Sequence, residues 1–260
     1  VTAFYDIDTP VTLSKLEEGA CEYITRELVP SYDMYLSFTG GPALTTIERQ
    51  FGSPMARALY CSVDVNLYAP ARVAKRWDLG YLGTWSEDRQ PSLERLMLDP
   101  ARTWSEGRFA VAGPQYPEDI QWPGNVEREI HLSPRQHPEF YGSQKFTLNI
   151  TRDAMKAAGY SPSVRLFEAG ACGVPIISDW WQGLDTIFEP GREVLISASA
   201  DDTLRYLRDL SATTRAEVGR AARQRVLAEH TPARRAAQLL GYFEEASAMQ
   251  SANKTTGVSA

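Results

Sequence analysis

The chain has 260 residues, 43% hydrophobic and 23% charged, enough to bury one large core or two small ones. Its formal net charge of −6, from 27 basic and 33 acidic residues, argues against a nucleic-acid footprint, which needs a basic face, while leaving room for a local cationic cluster. Three cysteines far apart, Cys21, Cys61 and Cys172, argue against a zinc site and for a reducing, cytoplasmic compartment, and no apolar run is long enough to span a bilayer.

The chain opens on alternating strands and helices. Strands are expected over 3–7, 34–38 and 58–61, with helices over 13–28 and 43–50 between them. Such alternation predicts a parallel sheet covered on both faces. Asp6 and Asp8 have the spacing of a metal-binding acidic pair, but acidic residues also end parallel strands, and Thr9-Pro10 starts a turn. The plainer reading is preferred, and no metal site is expected. Gly40-Gly41-Pro42 either brings backbone N–H groups to a ligand or makes the turn into the next helix. Residues 65–75 carry Pro70 and little periodicity, and read as an interdomain linker.

A second α/β pattern begins at Trp77. Residues 78–82 form a strand, and Gly83-Thr84 follow it at once, where an open parallel sheet binds ligands. A helix over 93–98, a strand over 108–112, an irregular loop over 115–124 and a strand over 126–132 come next. His137 opens a short helix; a lone histidine is usually a satisfied structural residue, with a ligand role as the rival reading. A strand over 146–150 ends at Thr151-Arg152, so the Arg152 guanidinium stands where ligand contacts are expected. An ordinary salt bridge with Asp153 or Glu168 is the alternative.

Residues 159–191, GYSPSVRLFEAGACGVPIISDWWQGLDTIFEPG, are the most informative. Ser161 reads as a helix N-cap with Pro162 at the first helical position. Val164, Phe167 and Ala171 share a helix face that would meet a core. Gly173 can take the left-handed conformation that ends the helix, Pro175 forbids its continuation, and Ile176-Ile177 make a buried strand. Glu168 does not suit an otherwise apolar helix. It either pairs with Arg165 one turn back or waits for the hydroxyls of a ligand. Of the adjacent Trp180 and Trp181 only one can face a core, leaving the other for a sugar ring or the mouth of a cleft. A strand over 192–196 and helices over 202–210, 215–229 and 232–248 follow, then a small polar tail expected to be disordered.

The run Arg165-Leu-Phe-Glu168-Ala-x-Ala-Cys-Gly173-x-Pro175 resembles the nucleotide-sugar-binding signature in the second domain of GT-B glycosyltransferases. More narrowly, the chain is similar to the CgeB-like group, named for a spore-maturation protein. FYDIDTPVTL, LSFTGGP, DLGYLGTWSEDRQP, FAVAGPQYP and LNITR resemble that group in the same order, so the likeness covers nearly all of residues 4–195. It implies an α/β GT-B fold of two Rossmann-like parallel-sheet domains. Residues 1–70 would be a partial, acceptor-side domain, 71–230 the nucleotide-sugar domain, 231–248 a helix crossing back, and 249–260 the tail. CgeB-like proteins carry further chain ahead of DIDTP, so the first domain is expected to be truncated.

The resemblance also implies a bacterial, hexosyltransferase-like enzyme. It would move a sugar from a nucleoside-diphosphate sugar to a glycan or protein acceptor, with no metal and no cofactor besides the donor. Gly83 and Thr84 would contact the donor diphosphate, with Arg89 as a charge partner; a solvated surface arginine is the alternative for Arg89. The loop after the 126–132 strand would meet the base, near His137. The helix starting at Ser161–Ser163 would aim N–H groups and its positive dipole end at the diphosphate. Glu168 would accept the ribose hydroxyls, and Arg152 and Arg165 would hold the leaving pyrophosphate oxygens. Asp8 would face the acceptor, with a base role open to it. Broader relatives carry a glutamate where this chain has Tyr160, so the donor-sugar contact that residue makes is replaced or absent. Two rival functions are a non-catalytic nucleotide-sugar-binding or coat-associated protein, and another GT-B enzyme such as a nucleotide-sugar epimerase. No acid–base set for an epimerase is apparent, and peripheral membrane contact stays open.

Overall fold

The computed structural model describes residues 1–256. In chain order the elements are β1 (Ala3–Asp6), α1 (Thr9–Glu17), β2 (Met34–Ser37), α2 (Pro42–Arg49), β3 (Ala56–Ala58) and β4 (Trp77–Leu82). Then come α3 (Gln90–Leu93), a π turn (Glu94–Leu98), α4 (Asp99–Thr103), β5 (Phe109–Ala112), β6 (Val126–Glu129) and α5 (His137–Gly142). The remainder is β7 (Gln144–Asn149), α6 (Asp153–Ala158), α7 (Val164–Ala171), β8 (Ile176–Ser178), β9 (Leu195–Ile196), α8 (Ala200–Asp209), α9 (Ala212–Glu229) and α10 (Pro232–Thr256).

These elements divide into two compact units. One holds Val1–Ser62, Ala154–Pro162 and Pro232–Ala260; the other holds Val63–Asp153 and Ser163–Thr231. The first is built on a three-stranded parallel sheet in the order β1-β2-β3. Leu16, Tyr35, Ile47 and Phe51 fill one core there, while Met34, Leu36, Met55 and Leu59 pack with Ala246 and Tyr242 of α10 in another. Arg235 ties α10 to the end of β3 by donating to the Tyr60 carbonyl at 2.8 Å.

The second unit is built on a six-stranded parallel sheet in the order β6-β5-β4-β7-β8-β9. The chain starts in the middle at β4, winds outward through β5 and β6, then returns to lay β7 against the other side of β4. This is the doubly wound order, and its reversal falls between β4 and β7. FAVA of β5 and IIS of β8 are buried throughout, as strands covered on both faces must be. Leu79, Tyr81, Phe109, Val111, Phe146 and Leu148 form the core on one face with Leu96, Met97 and Leu98.

Several boundaries differ from the sequence reading. The helix expected over 13–28 runs only over Thr9–Glu17, because Asp8 O accepts its first N–H groups and Gly19, at φ 69, ends it. The third strand lies at Ala56–Ala58 rather than 58–61. The helix expected over 93–98 is a longer run with a π turn in its middle, where Asp99 N donates back to Glu94 O. Pro100 cannot donate an N–H, and the widened turn adjoins that gap in the ladder. Residues 153–158, read as no element, form α6. Helix α10 continues through Thr256, so the tail expected to be disordered from 249 is helical that far; 257–260 lie outside the described residues.

The start of α7 is a correction that matters for function. Ser163, not Ser161, is its N-cap, and Val164, expected to face a core, is 46% exposed. Tyr160 takes a left-handed φ of 48, and Pro162 disfavours helical geometry in the residue before it. The Ser161 hydroxyl bonds instead with Thr39 Oγ1 at 2.9 Å and Met155 Sδ at 3.1 Å. Phe167 and Ala171 are buried as expected, and Gly173 closes the helix at φ 69.

Candidate functional site

The reversal of strand order brings the first residues past β4 to the rim of the sheet. Gly83 N donates to Ala112 O at 2.8 Å, and its carbonyl accepts from the Tyr116 hydroxyl at 3.0 Å. A Cβ on Gly83 would lie 2.7 Å from Arg165 Nη2 and 2.8 Å from the Tyr81 hydroxyl. Gly113, at φ 144, approaches so closely that its own Cβ would lie 2.0 Å from Gly83 O. Close approach therefore demands glycine at both positions. Tyr116 is held by Arg128, whose guanidinium lies 4.1 Å from its ring and 4.3 Å from that of Trp122. Arg128 also donates to the carbonyls of Val111 and Gly113. The Tyr81 hydroxyl is buried without a hydrogen-bond partner among the described residues.

Arg165 is 8% exposed and does not turn back toward Glu168. Its Nε donates to Leu82 O, and its Nη1 donates to Asn149 Oδ1 at 3.1 Å and Ile150 O at 3.4 Å. One guanidinium thus ties the end of β4 to the end of β7 across the reversal, and it lies 4.8 Å from the Tyr81 ring. Asn149 Oδ1 also accepts the Ser163 hydroxyl at 2.9 Å. The start of α7 and the Arg165 charge therefore converge on a single amide. The first N–H groups of α7 have no acceptor within the helix. Oriented N–H groups beside a fixed guanidinium whose Nη2 lies next to Gly83 make a site for an anion.

Glu168 stands one turn further along α7, half-buried. No lysine or arginine among the described residues pairs with its carboxylate. Its Oε2 accepts from the Tyr141 hydroxyl at 3.2 Å. Tyr68 is the second phenol beside it, and its hydroxyl lies 3.0 Å from His137 Nδ1. Burial, reinforced by the negative charge of Glu168, pushes both Tyr68 and Tyr141 above the usual tyrosine range. The same two causes push the Cys172 thiol up to about 12. The carboxylate is surrounded by neutral groups that stay protonated. It is a hydrogen-bond acceptor in waiting, not half of an ion pair.

Residues 89–241, more than half of the chain, match the family described as glycosyl transferase-like. The chain belongs to that family. Its structure is similar to sucrose-phosphate synthase from Thermosynechococcus elongatus, with TM-score 0.69 and 14% identity over 95% of this chain and 68% of that one. It is similar also to Anabaena Alr3699/HepE, solved in complex with UDP-glucose, with TM-score 0.71 and 12% identity over 94% of this chain and 72% of that one. The C-terminal domain of the group 1 glycosyl transferase LpcC from Francisella tularensis aligns with TM-score 0.51 and 11% identity, over 65% of this chain and 99% of that domain. No curated protein matches. The expected GT-B fold is the fold observed.

The remaining candidates of this glycosyl transferase-like chain fall around and outside that centre. Arg89 donates to Ser86 Oγ at 2.7 Å and to Thr84 O at 2.6 Å, closing the loop after β4 on itself. Arg152 is 43% exposed in its side chain and stands 3.9 Å from Asp88 Oδ2. Asp88 also accepts from Asp153 N at 3.0 Å, so it bridges the loops after β4 and β7. Burial works against its charge, but the Ser86 hydrogen bond, the Asp153 N–H and the two arginines hold its carboxyl below the usual value. His137 has Leu132 O 3.3 Å from its Nε2, so partners face both ring nitrogens. Asp8 and Ser161 belong to the other unit. Asp8 starts α1 and donates its N–H to Asp6 Oδ1 at 3.0 Å; buried Asp6 also accepts from Thr12 and Tyr35. Trp181 is buried and Trp180 is 49% exposed, as the adjacent pair required.

Sequence reasoning missed Tyr81, Tyr116, Asn149, Tyr141, Tyr68 and Asp88. Asn149 alone left a usable signal, a polar residue closing the apolar strand FTLN just before Arg152. The tyrosines read as ordinary core aromatics. A separate cavity of about 160 Å³, lined by Arg76, Trp77, Glu129 and Phe140 among others, touches none of the candidates.

Proposed function

We propose that the chain is a glycosyltransferase of the CgeB-like kind, acting in the cytoplasm on a nucleoside-diphosphate sugar and a glycan or protein acceptor. The observation that carries this reading is the pairing on α7 of a strand-tying Arg165 with a cation-free Glu168. The diphosphate would lie over Gly83-Thr84 and the start of α7, with Ser163 and Arg165 at its oxygens. The ribose hydroxyls would reach Glu168. When the bond between the sugar's anomeric carbon and the diphosphate breaks, the electron pair stays with the leaving oxygen. Arg165 Nη2 and the α7 N–H groups would face that developing charge, with Arg89 and Arg152 at the rim. This route asks for no metal. That the HepE neighbour was solved with UDP-glucose supports the donor class.

Calorimetric titration with UDP, GDP, dTDP and CMP tests the reading. One diphosphate should bind in clear preference to CMP, and incubation with its sugar conjugates should yield hydrolysis or transfer. Failure of all four to bind would overturn the reading. Binding with no turnover of any conjugate would leave a nucleotide-sugar-binding protein in its place.

A further inference from the structure

We propose that Tyr141 is a positioning residue that sets the Glu168 carboxylate to select a ribonucleotide over its 2′-deoxy counterpart. This rests on the donor-site reading above and goes beyond it. A glutamate side chain on a helix has three rotatable bonds, and the backbone of α7 fixes none of them. Tyr141 restrains Glu168. Tyr141 is fully buried at the end of α5, and its hydroxyl donates to Oε2 at 3.2 Å. Tyr68 is 7% exposed and is itself steadied by His137, with 3.0 Å between the phenol oxygen and Nδ1. Leu132 O faces His137 Nε2, so the Tyr68 hydroxyl donates its proton to Nδ1 and flanks Glu168 without donating to it.

The chemistry of this partner explains the selectivity. A carboxylate offers roughly four acceptor positions on its two oxygens. The neutral Tyr141 phenol engages part of that capacity, and roughly three positions stay open, enough for two vicinal hydroxyls. An arginine in its place would draw the carboxylate into an ion pair and compete with the sugar. Arg165, the nearest candidate on the helix, is instead committed to Leu82 and Asn149. Loss of the 2′-hydroxyl removes one hydrogen bond to a charged acceptor that has been aimed in advance. A carboxylate free to rotate would tolerate that loss better, by turning the vacated oxygen to water.

The test compares UDP with 2′-deoxy-UDP, and GDP with 2′-deoxy-GDP, by calorimetry on the full chain. The wild type should favour the ribonucleotide of the pair it binds by roughly tenfold, since hydrogen bonds to charged groups are the stronger class. In Tyr141→Phe that ratio should fall several-fold, with inorganic pyrophosphate affinity and Tm unchanged. Tyr141→Met should move it the same way, and carries the test if Tyr141→Phe does not fold. A wild-type ratio in the Tyr141 variants, with the ratio lost in Glu168→Ala, overturns this proposal and leaves the donor site standing. A ratio unchanged in Glu168→Ala overturns the ribose assignment and this proposal with it.

Discussion

Arg165 and Glu168 lie one helical turn apart with opposite charges, yet they do not pair. Burial decides this: the Arg165 guanidinium is drawn under the sheet rim to three backbone and amide oxygens, while Glu168 turns to Tyr141. Glu168→Ala should weaken nucleoside-diphosphate binding by about 1.5–3 kcal/mol, the range for hydrogen bonds to a charged group. Calorimetry checks it, and unchanged affinity in a folded variant would refute the ribose role. Cys172 supports a second prediction. Its thiol rises from 9.0 to about 12 through burial and the Glu168 charge. Because the folded value is the higher one, this contribution is fully present below pH 9 and is lost as pH climbs from about 9 toward 12. Iodoacetamide at pH 8 should therefore label half-buried Cys21 and Cys61 before Cys172, with the order read by mass spectrometry.

The working parts at the level of elements are strand ends and one helix start. Gly83 and Gly113 close the gap between the ends of β4 and β5, where neither backbone has room for a side chain. Gly113→Ala would set a methyl against Gly83 O, a backbone atom that cannot swing away. We expect a loss of about 2 kcal/mol or more in denaturant unfolding, from overpacking and a left-handed φ together. A wild-type midpoint would show that this turn is softer than its geometry indicates. Arg165→Lys should weaken diphosphate binding as well, since an ammonium cannot span two strand ends and still face a ligand. Pyrophosphate titration reads that loss directly.

Over the whole molecule, the two units draw on the sequence unequally. The larger unit takes one nearly continuous stretch, whereas the smaller collects three separate pieces, with α10 covering the Met34–Leu36 face of its sheet. Removing residues 232–260 should therefore expose Met34, Leu36, Met55 and Leu59. Hydrogen exchange should then show lost protection in β2 and β3 and near wild-type protection in β5 and β8. Retained protection of β2 would mean that α10 adds little to that core. No described helix is long and apolar enough to cross a membrane.

The sequence by itself determined the parallel α/β architecture, the end of α7 at Gly173 and the odd chemistry of Glu168. Each of these is local, set by short-range periodicity, one left-handed glycine, or a charge in an apolar run. It misjudged the start of α7, because the claim on the Ser161 hydroxyl comes from Thr39, far away in the chain. It also missed every tyrosine at the site, since an aromatic residue announces burial but not what its hydroxyl will meet. Which cation holds which strand, and whether a carboxylate is paired or waiting, are decided only when β7 returns to lie beside β4. At that point desolvation, rather than sequence spacing, sets the partners.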